Sequence, residues 1–104
     1  MFARVTTFQG EPDSVDGSIR FPVLEASQGM TSIPGFLALF DLADRDTGQA
    51  IVVTLWATEE ARDASSHFAR DATEKVVEAG GDPVISVREY EVGHYILGEA
   101  FPTS

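Results

Sequence analysis

The chain has 104 residues, enough for one domain, and its 43% hydrophobic and 23% charged residues are the balance of a folded globular protein. Its formal charge of −10 argues against nucleic acid and against anionic membrane surfaces as partners, because both attract clusters of lysine and arginine. The absence of cysteine excludes disulfides, thiolate catalysis and cysteine-based metal sites.

The first half of the chain predicts a strand, a helix and a second strand. FARVTTF, residues 2–8, is rich in β-branched and aromatic residues, which favours a strand. Apolar residues then recur at helical spacing over residues 15–30, with a kink expected at Pro22 because proline lacks a backbone donor. After the turn SIPG, the segment FLALFDLAD predicts the second strand over residues 36–44.

The second half predicts a hairpin, a strand, a helix and a last strand. DRDTGQ has the composition of a hairpin loop, and AIVVTLW, residues 50–56, is apolar on both faces, as expected of a central strand. Thr58 is placed to cap a helix that ends before Gly80, and PVISVREYEV, residues 83–92, predicts the last strand. The helix face expected against the sheet is formed by small residues and one phenylalanine: Ala61, Ala64, Ser65, Phe68, Ala72, Val76 and Ala79.

This order of elements, β-α-β-β-α-β, predicts an α+β, ferredoxin-like fold. Its four-stranded antiparallel sheet would carry both helices on one face. The other face also contains apolar residues, and a second copy of the sheet is the simplest cover, so we expect a homodimer that packs through its sheet faces. Residues 94–104 form an apolar tail, with Tyr95, Ile96, Leu97 and Phe101, expected to pack on the partner subunit or over the cavity.

Several of these segments resemble a known family. The element order, the IPGF turn, the DRDTG hairpin and the junction VVTLWATEEA resemble the antibiotic biosynthesis monooxygenase family of dimeric α/β-barrel proteins, over about residues 1–93. The resemblance implies a ligand cavity between sheet and helices. Some members oxygenate polycyclic anthrones or quinols with molecular oxygen and use no metal and no flavin.

The expected function is therefore that of a cofactor-independent monooxygenase acting on a flat, hydrophobic, quinol- or anthrone-like small molecule. No apolar run approaches the length of a membrane helix and the first residues lack the apolar core of a signal peptide, so we expect a soluble, cytoplasmic protein without a membrane partner.

Two alternatives remain open. A non-catalytic small-molecule-binding or structural protein could use the same dimer, and the lack of an evident general base in the predicted cavity favours it. A polyketide isomerase or cyclase would need the cavity but no oxygen. Haem degradation is disfavoured, because the sequence resembles the haem-degrading members at Trp56 but has Thr6 and Ser65 where they carry an asparagine and a second tryptophan.

The candidate catalytic residues are Trp56, Arg88 and Tyr90. Trp56 could stack on a flat ligand or could simply close the core at the junction of strand and helix. Arg88 and Tyr90 share one face of the last strand and could hold a phenolate or enolate oxygen by charge-assisted hydrogen bonds. The alternative for each arginine is an ion pair at the edge of the sheet.

The candidate substrate-binding residues are Arg4, Thr6, Phe8 and Phe68. The first three share one face of the first strand by their spacing of two, and the resemblance implies that the Thr6 face lines the ligand cavity.

Neither histidine predicts a metal site. His67 is expected on a solvated helix surface with Asp63 and Asp71 four residues to either side. His94 lies after the last strand and has no carboxylate at ligand spacing, so no metal is expected. Motifs for phosphate-binding loops, serine hydrolases and zinc proteases do not occur in the sequence.

Overall fold

A computed structural model of the chain describes residues 1–10, 12, 29–78 and 84–102. Its strands are β1 (Phe2–Gln9), β2 (Phe36–Ala43), β3 (Gln49–Trp56) and β4 (Val84–Glu91), its helices are α1 (Glu59–Ala64) and α2 (Ser66–Glu78), and Met30–Ser32 form a 3-10 turn. Most of the helix predicted over residues 15–30, namely residues 15–28 with the kink at Pro22, lies outside the described residues. At its predicted end, Met30 begins the 3-10 turn instead.

The four strands form one antiparallel sheet in the order β2-β3-β1-β4. The predicted α+β class and the four-stranded antiparallel sheet are confirmed, and β3 takes the interior position that its apolar sequence indicates. The register shifts between Phe36 and Ala38 where β2 meets β3, and again between Thr7 and Phe8 where β1 meets β4. Both irregularities lie on edge-strand pairings, where bulges are common.

The predicted hairpin between β2 and β3 is held by Asp44. Its Oδ1 accepts hydrogen bonds from the backbone N–H groups of Asp46, at 2.9 Å, and Thr47, at 3.3 Å. Gly48 completes the turn at a φ of 78°, a conformation that glycine adopts without steric cost. The aspartate and glycine of this loop therefore act as the composition predicts.

The helical region differs from its prediction, because the expected single helix is broken at Ser65. Thr58 caps α1 as predicted, with Oγ1 accepting from the backbone N–H of Ala61 at 3.0 Å. The Ser65 hydroxyl then donates to the carbonyl of Arg62 at 2.6 Å, a side-chain bond that competes with helical pairing. The break changes the buried face: Arg62 and Ser65 are buried, whereas Ala64, expected to face the sheet, is exposed.

Directly paired residues of antiparallel strands lie on the same face of a sheet, so the register assigns the two faces. Arg4 contacts the helices, which places the row Phe2, Arg4, Thr6 and Phe8 on the helix-covered face. Their partners on β3, residues 56, 54, 52 and 50, share that face. Near one end of this face, Phe8 and Ala50 form a core cluster with Leu39, Val52 and Val84.

The opposite face, which we call the open face, exposes large apolar side chains. Phe40 and Leu42 of β2 are 36% and 49% exposed, and Tyr90 of β4 is 48% exposed. The tail reaches this face, because the ring of Phe101 packs edge-on against Phe40 with 6.4 Å between centroids. Since β4 and β2 are at opposite edges, the tail runs from one side of the sheet to the other and leaves Ile96 83% exposed.

Candidate functional site

Arg4 is the centre of the polar site on the helix-covered face. Its guanidinium donates through Nη1 to the hydroxyl of Ser65 at 3.0 Å and through Nη2 to the carbonyl of Arg62 at 2.8 Å and the hydroxyl of Ser66 at 3.0 Å. These bonds attach the middle of β1 to the break between α1 and α2. The carbonyl of Arg62 accepts from Arg4 and also from the hydroxyl and the backbone N–H of Ser65.

Glu89 joins two arginines at the edge of this site. Its Oε2 lies 2.9 Å from Nε of Arg62 and 3.4 Å from Nη2 of Arg4. The Arg62 guanidinium also lies over the ring of Phe2, 5.6 Å from its centroid. Arg62 also lies 3.2 Å from a carboxylate oxygen of Asp63 and 3.8 Å from one of Glu59. The two largely buried guanidinium groups are therefore balanced by carboxylates that are partly or fully exposed.

Burial lowers the pKa of the Arg4 guanidinium from its ordinary value. The charge of Glu89 opposes this effect and the charge of Arg62 adds to it. Arginine nevertheless remains protonated in proteins, so the cost of burying Arg4 is offset by its four hydrogen-bonding contacts rather than by loss of its proton.

A cavity of about 300 Å³ opens beside this network. It lies between the β1–β4 side of the sheet and α2, and its lining is formed by Arg4, Thr6, Ser66, Ala69, Arg70, Val87 and Glu89. Its volume is at the lower end of the range for small-molecule sites. The lining contains two arginines, Arg4 and Arg70, and one carboxylate, Glu89, so the guanidinium groups are the part of the lining that suits an anionic oxygen.

Two of the predicted substrate-binding residues, Arg4 and Thr6, line this cavity, while the other two do not. Phe8 is 5% exposed and belongs to the core cluster at the far end of the same face. Phe68 is partly buried on α2 but is not part of the lining. Ser66, Ala69 and Arg70 also line the cavity but were not predicted, because their approach to β1 depends on the helix break.

Trp56 lies in the core at the junction of β3 and α1. It has no exposed surface, its indole N–H donates to Oγ1 of Thr54 at 3.1 Å, and its ring meets Phe36 edge-on with 5.5 Å between centroids. Both its polar group and its apolar surface are therefore satisfied by the chain itself. These contacts fit the core role that the sequence left open. No atom of Trp56 is accessible to a ligand.

Arg88 and Tyr90 are not brought to the cavity. They pair with Val5 and Ala3 of β1, whereas the cavity residues of β4, Val87 and Glu89, pair with Thr6 and Arg4. Side chains alternate between faces along a strand, so Arg88 and Tyr90 lie on the open face. The structure therefore does not bring them together with Arg4 and Thr6, and any catalytic role for them stays a prediction about the open face.

The histidines are at the surface. The side chain of His67 is 83% exposed, with Nε2 3.4 Å from Asp71, and Asp63 contacts Arg62 instead. His94 is exposed as well. Within the described part of the chain, no three histidine, aspartate or glutamate side chains are grouped as metal ligands would be, and no helix is long and apolar enough to cross a membrane.

Asp41 is a feature of the helix-covered face that the sequence did not single out as a site. It pairs with Val52 on β3, which places its carboxyl among apolar neighbours. Oδ1 is buried and has no hydrogen-bond partner among the described residues, and burial raises the pKa of this carboxyl from 3.8 to about 6. An aspartate in an otherwise apolar strand was the available signal, but its burial depends on register and packing.

Comparison with known proteins gives relatives of unassigned function and a well-populated fold. No family model matches the sequence. The uncharacterized proteins MT2634 and Rv2557 of Mycobacterium tuberculosis are each 33% identical to it over 96 residues. The match covers 88% of this chain but 41% of those proteins, so the chain spans less than half the length of these curated relatives.

Solved structures resemble the chain over nearly its whole length. A monooxygenase of Streptomyces coelicolor, in complex with the ligand nanaomycin D, superposes with a TM-score of 0.72 at 18% identity, covering 94% of this chain and 92% of that one. A Deinococcus radiodurans structure assigned to the antibiotic biosynthesis monooxygenases has a TM-score of 0.67 at 14% identity, with coverage of 96% and 100%. SnoaB, a cofactor-independent oxygenase from Streptomyces nogalater, has a TM-score of 0.63 at 16% identity, with coverage of 91% and 95%.

These neighbours agree with the resemblance carried by the IPGF turn, the DRDTG hairpin and the VVTLWATEEA junction. The chain has the fold of the antibiotic biosynthesis monooxygenases.

Proposed function

We propose that the chain is a cofactor-independent monooxygenase of the antibiotic biosynthesis type and that its cavity binds a flat, hydrophobic, oxygenated small molecule. The observation that carries the proposal is the cavity itself. On this fold it combines small and apolar lining from Ala69 and Val87 with the charged groups of Arg4 and Arg70. The structural neighbour in complex with nanaomycin D supports a small-molecule ligand, and SnoaB, a cofactor-independent oxygenase, supports the reaction class.

In the proposed oxygenation, the ligand itself would supply the electrons that reduce molecular oxygen. A quinol or anthrone that loses a proton becomes an electron-rich anion, which can transfer an electron to molecular oxygen. In the net reaction of an anthrone, one oxygen atom is added as a carbonyl, and the other leaves as water with the two hydrogens of the ring carbon. The protein contributes by holding the ring in place and by stabilising the anion.

Arg70 is the better placed of the two arginines to meet the ligand anion. Arg4 already donates to two hydroxyls, a carbonyl and a carboxylate, so most of its donors are occupied. Arg70 lines the same cavity and is exposed, so it can turn towards a phenolate or enolate oxygen. In this proposal Arg4 positions the helix break, while Thr6 and Ala69 bound the ring.

We infer further that two copies pack through their open faces. The exposed Phe40, Leu42 and Tyr90 form an apolar surface that a second sheet would remove from water, and a two-fold dimer needs only one self-complementary surface. Phe101 already lies on Phe40, so the tail would be part of this contact, and Arg88 would lie within it or at its rim. Light scattering should give twice the chain mass at micromolar concentration, and a monomer would contradict this inference.

Oxygen uptake by matched variants tests the enzyme proposal. The protein, verified free of metal and flavin, is mixed with 1,8-dihydroxyanthrone in an oxygen electrode. Ala69→Leu places three further carbons in the cavity and should abolish uptake above the uncatalysed rate. Ala64→Leu makes the same change at an exposed position and should leave uptake at the level of the unmodified protein. Equal activity of the two variants would show that the cavity is not the site.

A non-catalytic binding protein is the second candidate, and the occupied donors of Arg4 favour it. In that case no anthrone or quinol should cause oxygen uptake. The unmodified protein should still bind 1,8-dihydroxyanthraquinone, which an oxygenase of this kind cannot oxidise at the ring carbon, and Ala69→Leu should not bind it. An isomerase or cyclase would instead convert a polyketide substrate under nitrogen.

A further inference from the structure

We propose that Asp41 accepts the proton of a ligand hydroxyl on the helix-covered face of the sheet. The inference rests on the proposed function, and it supplies the general base that the sequence did not reveal. It concerns a residue outside the cavity lining described above.

The sheet register places Asp41 in one row with the cavity. Asp41 pairs with Val52, Val52 pairs with Thr6, and Thr6 pairs with Val87, so the four side chains lie side by side on the same face. Thr6 and Val87 line the cavity. Strands are about 4.8 Å apart, so Asp41 lies about 10 Å from Thr6 across Val52. A fused three-ring ligand lying over Thr6 and Val52 would bring a hydroxyl to Asp41.

The state of the carboxyl requires an explanation that the described residues do not give. A buried polar oxygen is normally hydrogen-bonded, and leaving one without a partner costs free energy. Oδ1 of Asp41 is buried and has no such partner within the described part of the chain. A hydroxyl-bearing ligand would provide a donor that the described residues lack.

The surroundings make this carboxyl a usable base near neutral pH. The described elements that pack most closely on β2 are β3 and the 3-10 turn Met30–Ser32, and neither contains a titratable side chain. Asp41 is also the only titratable residue of β2. Burial raises its pKa to about 6, close to the range in which a base is both ionised and able to take up a proton.

The proposed step is a single proton transfer. The O–H bond of the ligand breaks, the proton binds the Asp41 carboxylate, and the electron pair remains on the ligand oxygen as a phenolate or enolate. The negative charge moves from the buried carboxylate to the ligand. The proton returns to solvent or product when the oxygenated product leaves.

Asp41→Asn tests the proposal, with Asp46→Asn as the matched control at an exposed position of the hairpin. With 1,8-dihydroxyanthrone in the oxygen electrode, Asp41→Asn should lose about 100-fold or more in kcat, as removal of a general base does. In the unmodified protein and in Asp46→Asn, kcat should fall as the pH drops below about 6, and this dependence should be missing from any residual activity of Asp41→Asn. Activity of Asp41→Asn equal to that of the unmodified protein would overturn the proposal.

A binding experiment separates failure of this inference from failure of the proposed function. If the unmodified protein takes up no oxygen with any anthrone or quinol, the oxygenase proposal fails, and the affinity for 1,8-dihydroxyanthraquinone is then measured from pH 5 to pH 8. About tenfold tighter binding above pH 6, absent in Asp41→Asn, would show that Asp41 still accepts a hydrogen bond from the ligand. The same pH dependence in both proteins, or in neither, would overturn the inference about Asp41.

Discussion

Replacing Asp41 by asparagine should make the protein more stable at neutral pH. The substitution keeps the shape of the side chain and removes a charge that has no described partner. The folded-state pKa of about 6 exceeds the ordinary 3.8 by about 2 units, which corresponds to about 3 kcal/mol at 1.36 kcal/mol per unit. Because part of the side chain contacts solvent, screening reduces this, and we expect a gain of about 1–2 kcal/mol.

The sign of the effect also fixes its pH dependence. Since folding raises the pKa of Asp41, the ionised carboxylate disfavours the folded state. This cost is absent below about pH 4, where the group is protonated in both states, grows as the pH rises to about 6, and is constant above it. The gain of Asp41→Asn over the unmodified protein should therefore be present at pH 7.5 and vanish near pH 4.

Urea unfolding followed by the fluorescence of Trp56, the only tryptophan, measures these free energies by linear extrapolation. The control Asp46→Asn should change the free energy of unfolding by less than about 0.5 kcal/mol at either pH. If Asp41→Asn is less stable than the unmodified protein at pH 7.5, the carboxylate has a stabilising partner, and the argument from its isolation is refuted.

Three further predictions concern packing and the tail. Gly35→Ala should destabilise the fold by about 2–4 kcal/mol in urea unfolding, because Gly35 has a φ of 84° and an added Cβ would lie 2.5 Å from a side chain of α1. Gly29→Ala, at a φ of 86° but with open space around it, should cost only about 1 kcal/mol, and equal losses would contradict the steric part of the explanation. Arg4→Met should cost about 3 kcal/mol in thermal or urea unfolding, because it removes the buried donor that joins the Ser65 hydroxyl and the Arg62 carbonyl to β1. Arg70→Met should cost less than about 0.5 kcal/mol, and similar costs would show that the Arg4 network is not structural. Phe101→Ala should shift the dimer equilibrium towards monomer in light scattering at low micromolar concentration, and an unchanged equilibrium would exclude the tail from the interface.

The strands, the hairpin and the Thr58 cap could be predicted from the sequence because each depends on neighbouring residues. Alternation, an aspartate and a glycine in a turn, and a hydroxyl before a helix act within a few positions of the chain. The expected strand limits differ from those of β1 to β4 by no more than one residue at each end.

The helix break could not be predicted in the same way, because it depends on a contact between distant parts of the chain. The carbonyl of Arg62 accepts from Arg4, 58 residues away, and the Ser65 hydroxyl accepts from the same guanidinium. The period of small residues around Ser65 indicates a continuous helix and contains no information about that partner. Ala64 was therefore expected on the buried face, and the burial of Arg62 was not foreseen.

The prediction of which residues form the site was limited because the register between the strands was not known from the sequence. A period of two shows that Arg88 and Tyr90 share a face of β4, but it does not show whether that face is the one occupied by Arg4 on β1. The pairing of Arg4 with Glu89 decides this, and it places Arg88 and Tyr90 on the open face. The lack of a hydrogen-bond partner for Asp41 among the described residues likewise becomes visible only when its neighbours across the sheet are known.

A crystal structure of the protein grown with 1,8-dihydroxyanthraquinone would show whether the cavity binds a flat, oxygenated ligand. We expect electron density for the ring on the helix-covered face, between Thr6 and Ala69, with one ligand oxygen near Arg70 and a hydroxyl directed towards Asp41. Density for the ring on the open face beside Phe40, or a cavity without ligand at a saturating concentration, would contradict it.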